Sequence, residues 1–365
     1  MIRPNNNPRG LQGLALAFAA LLGVGAACVP PAAEGEGEGE GEGEGEGEGE
    51  PPDCDDPVLG GFVLAPGYAV VESGVLPADV AFAGFSVPPS APPRLFAMRA
   101  DLIAYDFGEL SALAAEPAPL FDVLADTDQA LAPGADAFPS FLVVGKGATA
   151  SGYTRASDFG GNVGAHLLGD GTTSYLDAPA NFSAAYLDDQ LVVSGGGLAA
   201  VQAGLGLYVA GDGTPFQLAA LGADAVASGY LAATDTGVVV AGRFTADNEL
   251  FALAPGDVDD VLAGGPAIDL GTHTPFLTGS YGALAGFGDA VAIATYDAST
   301  WLATGLVDVA LPVAGGAVTP GSPVPVLSQT QGCTTAMPFV ASLQDDVVVG
   351  LTLPSGVAVV RITRE

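Results

Sequence analysis

From residue 53 onward, short apolar runs of Val, Leu, Ala, Phe and Tyr alternate with clusters of Gly, Asp and Pro. No amphipathic stretch of helical period reaches about 12 residues, so the pattern predicts strands joined by tight turns. Brief helical turns are expected only at residues 111–115 and 218–226. One hairpin type recurs: an apolar strand, a polar turn, then a second and more apolar strand. It is read at 183–187, Asp188-Asp189, 190–194; at 228–233, Asp235-Thr236-Gly237, 238–241; at 281–287, Gly288-Asp289, 290–295; and at 339–343, Asp345-Asp346, 347–351. Two further hairpins are expected to turn at Gly145-Lys146-Gly147 and around Pro77-Ala78-Asp79.

A third strand of common flavour follows each hairpin, at Arg94-Leu95-Phe96-Ala97, 165–168, 206–209, 249–252, Thr300-Trp301-Leu302-Ala303 and 357–360. A fourth run follows another turn, most clearly after Gly211-Asp212-Gly213-Thr214, and Asp-Gly between apolar runs is a strong hairpin signal. Four strands per unit over about 310 residues give about six units of about 51 residues, which is the arithmetic of a β-propeller. The expected fold class is therefore all-β, and residues 57–365 resemble the β-propeller superfold through periodicity alone. Six blades fit best. Five or seven also fit spacings of about 40–70 residues, and a pair of β-sandwiches is the rival architecture. The last unit supplies only three strands, so residues 62–65 are expected to close the last blade as its outer strand.

The first 52 residues follow different rules. Arg3 and Arg9 precede an apolar run at 14–24 and then small residues, the three parts of a secretory signal over residues 1–27. Gly25-Ala26-Ala27-Cys28 resembles the lipobox of bacterial lipoproteins, with Gly in place of the usual Leu. That resemblance implies lipidation at Cys28; ordinary cleavage at a small-x-small site is the alternative. Residues 34–50 are a strict Glu-Gly alternation, with no positive charge and nothing to bury, so residues 28–52 read as a disordered acidic linker. A Glu-Gly linker behind a lipobox-like Cys also resembles envelope lipoproteins of myxobacteria-like lineages. The expected destination is export, with a lipid anchor at the outer membrane or cell surface, or release as a soluble protein.

Nine Lys plus Arg stand against 42 Asp plus Glu, a net charge of −33, and Lys146 is the one lysine. Such a surface repels phosphate backbones and anionic headgroups, which excludes nucleic acid as a partner and leaves an envelope protein or polysaccharide, engaged by a monomer. With Cys28 acylated, Cys54 and Cys333 remain as an even pair and are expected to form a disulfide.

Candidate chemistry is sparse. His166 and His273 are far apart and match no metal-ligand spacing, and no nucleophile elbow or phosphate-binding loop is present. Carboxylates are abundant. Asp188, Asp189, Asp235, Asp289, Asp345 and Asp346 recur at the same hairpin turn, where a propeller would place them around one mouth of its channel, although plain turn chemistry also favours Asp there. Asp126, Asp128, Asp257, Asp259 and Asp260 fall short of a calcium loop, so no cofactor is expected and Ca2+ is the one ion left open. The expectation is a non-enzymatic binding or scaffolding surface. Its alternative is a carboxylate-dependent glycoside hydrolase or lyase, which needs two carboxylates about 5–10 Å apart.

Overall fold

The computed structural model describes residues 54, 56–77, 80–86, 93–99, 103–122, 142–144, 150–157, 160–167, 173–176, 181–187, 190–195, 206–210, 216–225, 227–245, 247–300, 302–337, 339–353 and 356–365. The expected signal, Cys28 as the expected lipidation site and the Glu-Gly run lie outside them, as do Asp188, Asp189, Asp126 and Asp128.

Two strands come first, β1 (Phe62–Leu64) and β2 (Tyr68–Leu76). Six sheets then follow in chain order. The first is β3 (Val80–Ser86), β4 (Arg94–Arg99), β5 (Ile103–Glu109) and β6 (Ala118–Asp122); the second is β7 (Leu142–Val144), β8 (Ala150–Ser157), β9 (Gly160–Leu167) and β10 (Thr173–Leu176). The third is β11 (Asn181–Leu187), β12 (Gln190–Gly195), β13 (Gly206–Ala210) and β14 (Phe216–Ala220). The fourth opens with β15 (Ala227–Ala233), β16 (Val239–Phe244) and β17 (Asn248–Leu253). The chain then makes helix α1 (Pro255–Leu262) and β18 (Ile268–Asp269) before returning as β19 (Leu277–Thr278). The fifth is β20 (Tyr281–Phe287), β21 (Ala290–Tyr296), β22 (Ala303–Ala310) and, after a small ribbon of β23 (Val313–Ala314) and β24 (Ala317–Val318), β25 (Val324–Gln329). The sixth is β26 (Phe339–Leu343), β27 (Asp346–Leu353) and β28 (Gly356–Arg364).

Within each sheet, successive strands pair antiparallel, and the first strands lie side by side: β3 against β7, β7 against β11, β11 against β15, β15 against β20, β20 against β26, and β26 against β3. The fold is all-β, as expected. The sixth sheet gains its fourth strand from the start of the chain, because β2 pairs with β28 from Tyr68 opposite Arg364 to Leu76 opposite Val357. This corrects the expected closure. Residues 62–64 pair instead with β25, as a fifth strand on the fifth sheet. Two turns of sequence, not one, separate Cys54 from the sixth sheet, and the longer run at 68–76 has more ladder to offer than a three-residue strand. The hairpin expected around Pro77-Ala78-Asp79 is likewise a crossing between sheets, since β2 pairs with β28 and β3 with β4.

The pattern of second strands has a packing cause. β21 is buried from Ala290 to Ala294 and β27 from Asp346 to Leu351, with no exposed alternate positions. A strand covered on both faces reads as a continuous apolar run, which explains why the second half of each hairpin is the more apolar. The cores accordingly lie between neighbouring sheets. Phe287, Leu306, Val347, Val349 and Val360 pack between the fifth and sixth, Leu218, Leu231, Ala241 and Phe251 between the third and fourth, and Leu95, Phe107, Phe339 and Val348 between the first and sixth. A buried Phe or Leu contributes about 1.5–3 kcal/mol of transfer free energy.

Two further expectations fail locally. Residues 218–220 continue β14, with a turn beyond, because Leu218, Ala219 and Leu221 fill the core beside the fourth sheet. The helical turn near 111–115 reduces to a 3-10 turn at Leu110–Ala112. Conversely, the acidic run at Asp257, Asp259 and Asp260 lies on helix α1, with Val258 and Val261 on its buried side. After that helix, β18 adds a parallel fifth strand to the third sheet. Arg243 pins this excursion: its Nη1 donates to the carbonyls of Leu221 (2.8 Å) and Leu270 (3.4 Å), its Nε donates to Glu249 (2.5 Å), and its guanidinium covers Phe251.

Cys54 and Cys333 are disulfide-bonded, with Cα atoms 5.5 Å apart across a sequence separation of 279. Cys333 lies between β25 and β26, so the bond fastens the start of the domain to the link between the fifth and sixth sheets. Gly61 makes this possible. Its φ is +85°, and a Cβ there would lie 2.5 Å from the Cys333 sulfur.

Candidate functional site

Strand direction decides which residues share an end. The turns between first and second strands lie at one end, and third strands run back to finish there. Asp235, Asp289 and Asp345 sit exposed on these turns in the fourth, fifth and sixth sheets. The Asp235 amide donates to the Gly288 carbonyl at 3.0 Å, and a Cβ on Gly288 would be 3.2 Å from Asp345 Oδ1. Three turns thus converge over Gly288. Just inside, the first strands approach so closely that a Cβ on Gly286 would be 2.1 Å from the Ala233 carbonyl oxygen, with Ser342 Oγ at 3.3 Å. Ala, Gly and Ser, not aromatic side chains, stand where these strands meet.

The carboxylates do not behave alike. Partial burial, and then the charge of Asp345, push the Asp235 carboxyl above its ordinary range. Asp289 accepts from Arg364 Nη1 at 3.0 Å. Asp346 is 7 % exposed and does not join Asp345 at the exposed turn end. It accepts from Arg361 Nε (2.6 Å) and pairs with its Nη2 (2.5 Å), while Arg361 Nη1 reaches Glu72 of β2 at 3.5 Å, so this carboxylate helps hold β2 on the sixth sheet.

Beside the turns lies a node that joins both ends of the domain. Arg364, the last residue of β28, donates from Nε (2.8 Å) and Nη2 (2.9 Å) to the two carboxylate oxygens of Asp308 in β22 and stacks over Phe287. Tyr68, the first residue of β2, donates its hydroxyl to Asp308 at 3.0 Å. Burial, Asp308's charge and that hydrogen bond together push the phenol up to about 12. Burial works to lower the Arg364 pKa, but Asp308 and Asp289 more than offset it.

The raised Asp235 carboxyl has a sign that can be tested. A folded-state pKa above the unfolded one means that the native state binds more protons, so the favourable contribution is complete below the unfolded value and is lost as pH rises through the raised one. Asp235→Asn is expected to raise the urea midpoint at pH 7 and to leave it unchanged near pH 3. An equal shift at both values would show that Asp345 and burial do not act on this group.

The opposite end carries a different chemistry. Tyr230 in β15, Tyr281 in β20 and Tyr296 at the end of β21 gather where the fourth and fifth sheets adjoin, and all three phenols are held above their ordinary pKa, chiefly by burial. The Tyr296 hydroxyl donates to the Met337 carbonyl at 2.7 Å, and its ring lies on Gly282, where a Cβ would be 2.4 Å away. Tyr281 is 4 % exposed, and its hydroxyl has no hydrogen-bond partner among the described residues. The sequence reading missed these tyrosines, as it missed Arg361, Arg364 and Tyr68. The scarcity of Arg was the available signal, since in so acidic a chain Arg243, Arg361 and Arg364 each sit where separate elements join.

The remaining candidates are solitary. His273 is exposed, with Nδ1 2.9 Å from the Asp269 carbonyl oxygen, and His166 sits in β9. Among the described residues, no group of three or more His, Cys, Asp or Glu side chains gathers as a metal site would require. Asp297, in the loop after β21, spends its carboxylate on Ser299 and Thr300, and these bonds hold its pKa down at about 2.

The sheet succession and the inter-sheet cores define an all-β protein with a β-propeller-like fold. No family model matches the chain, and no curated protein matches it. Solved structures do. The PQQ-bound aldose sugar dehydrogenase of Streptomyces coelicolor superposes with a TM-score of 0.54 at 12% identity, covering 83% of this chain and 98% of that one. A calcium structure of the carbohydrate-active enzyme family AA12 protein of Trichoderma reesei gives 0.48 at 15% identity, covering 84% and 97%. At such identity the first likeness is one of fold.

Proposed function

We propose that the six sheets are the blades of a closed six-bladed propeller, exported and held by lipid on Cys28 through the Glu-Gly linker, and that its acidic turn end binds an envelope polysaccharide. Closure rests on the pairing of β2 with β28 and on β26 lying against β3. The observation that carries the binding reading is the convergence of Asp235, Asp289 and Asp345 on Gly288 at an exposed end. Carboxylates side by side accept hydrogen bonds from vicinal sugar hydroxyls, and the residues that meet just inside them, Ala233, Gly286 and Ser342, are small. Carbohydrate as the ligand class is also in keeping with the sugar dehydrogenase fold of the Streptomyces protein.

One observation favours a catalytic second reading. Partial burial and the charge of Asp345 push the Asp235 carboxyl above its ordinary range, and a raised carboxyl beside a second carboxylate is what glycoside hydrolysis uses as its acid. Quinone chemistry is a poorer fit. Pyrroloquinoline quinone carries three carboxylates, whereas Arg94, Arg243, Arg361 and Arg364 are each paired with an acidic side chain, and the turn end they would have to serve is itself acidic.

The test is to immobilise the purified protein and pass soluble envelope polysaccharide over it. Retention of glycan at unchanged length, reduced in Asp345→Asn, is expected. Shortened glycan, with shortening lost in Asp235→Asn or Asp345→Asn, would replace binding with hydrolysis. No retention and no shortening would remove both readings.

A further inference from the structure

The end away from the acidic turns shows a recurring distortion. β11 shifts register between Asn181 and Ser183, β15 between Ser228 and Leu231, and β20 between Tyr281 and Leu284, each near the beginning of a first strand. Bulges of this kind concentrate at rims and beside sites, where they re-aim a side chain. In β15 and β20 the bulged segments carry Tyr230 and Tyr281. Gly229 and Gly242 approach so closely that a Cβ on Gly229 would be 2.8 Å from the Gly242 carbonyl carbon, and Gly282 leaves the space that the Tyr296 ring fills. The local sequence has therefore given up side chains to bring three phenols together.

Their hydroxyls are not equally spent. Tyr296 is committed to the Met337 carbonyl, whereas Tyr281 is buried with no partner among the described residues. Leaving a buried hydroxyl without a partner is destabilising, so a fold that keeps one points to a partner that comes and goes. The charged group nearby is already neutralised, because Glu249 is bonded to Arg243 at 2.5 Å. Tyr230 and Tyr296 are each half-buried, so the cluster is not sealed from solvent, and Tyr230 lies within electrostatic reach of both other phenols.

From this geometry we infer that Tyr230, Tyr281 and Tyr296 form a second ligand site, at the end opposite the acidic turns, that takes a neutral polyhydroxylated molecule such as a single sugar ring. Phenols donate and accept, and their rings offer apolar faces to the C–H side of a sugar. Because burial keeps these groups protonated, the site acts as a donor throughout the physiological range. For an anionic ligand the nearest guanidinium, Arg243, is already paired with Glu249, and a cationic one finds that same carboxylate spent.

The experiment compares the whole protein with Tyr281→Phe, using saturation-transfer NMR with glucose, galactose and N-acetylglucosamine, and gluconate as the charged control. The wild type is expected to bind at least one neutral sugar and not gluconate. Tyr281→Phe should bind it about tenfold more weakly, the worth of one hydrogen bond, while its melting temperature without sugar stays equal to or rises above that of the wild type. Equal sugar binding by both proteins would overturn the inference. So would a lowered melting temperature in the variant, because the hydroxyl would then have an internal partner. Binding of gluconate alone, or of no sugar by the wild type, would overturn it too. Polysaccharide retention at the acidic end is read separately, through Asp345→Asn, so either site can fail while the other stands.

Discussion

Arg364→Ala should lower the unfolding free energy by about 2–3 kcal/mol, read as a reduced urea midpoint at unchanged slope. The guanidinium donates twice to Asp308 and once to Asp289 and covers the face of Phe287. Its removal leaves Asp308, 6 % exposed, with only the Tyr68 hydroxyl as a described donor. Stripping one partner from a buried ion pair costs about 3–5 kcal/mol; the smaller figure is expected here because a third of Arg364 faces solvent. Asp308→Asn in the Arg364→Ala background should recover part of the loss, since the unpaired charge is then gone. If the double variant were less stable than the single one, the node would owe its strength to packing rather than to charge.

Replacing Cys54 and Cys333 with Ser is expected to cost about 2–5 kcal/mol. In the chain-entropy account, closing so long a loop withholds about 5 kcal/mol of freedom from the unfolded chain, and measured losses run from there downward. Thermal melts of the double variant against the oxidised wild type would give the value. The wild type under reductant should follow the variant; if it melted like the oxidised protein instead, the bond would be inaccessible or energetically idle. Both substitutions act on the same seam, because Arg364 and Cys333 each tie the sixth sheet to elements of the fifth or to the start of the chain.

The architecture was legible because burial is local to each strand. Second strands covered on both faces print uninterrupted apolar runs, such as Val347 to Leu351, and the turns print Asp and Gly, so hairpins at 235–237, 288–289 and 345 could be placed to within a residue or two. The partners of the two N-terminal strands were harder to read. The choice between 62–64 and 68–76 is made by pairing across almost the whole chain, Val70 opposite Ile362 and Leu64 opposite Leu327, and neither strand carries a local mark of its partner. The same holds for 218–220, where inter-sheet packing overrides a helical composition. At the turn end, residue type predicted position for Asp235, Asp289 and Asp345, but not that Asp346 would turn inward onto Arg361. The tyrosines at the other end were invisible, because a Tyr in a strand has no spacing that distinguishes a satisfied hydroxyl from an orphaned one.

The disulfide also decides how the domain answers to tension. A pull on the residues before Cys54 arrives at Cys333, a covalent stop between the fifth and sixth sheets, before it can reach β1, whose ladder is three residues long. The strand that completes the sixth sheet lies further along the same path and is shielded in turn. With the bond intact, stretching from the N-terminal side loads the body of the protein through sulfur; with it reduced, the same force peels β1 and then β2, opening the domain at the place where its two termini meet.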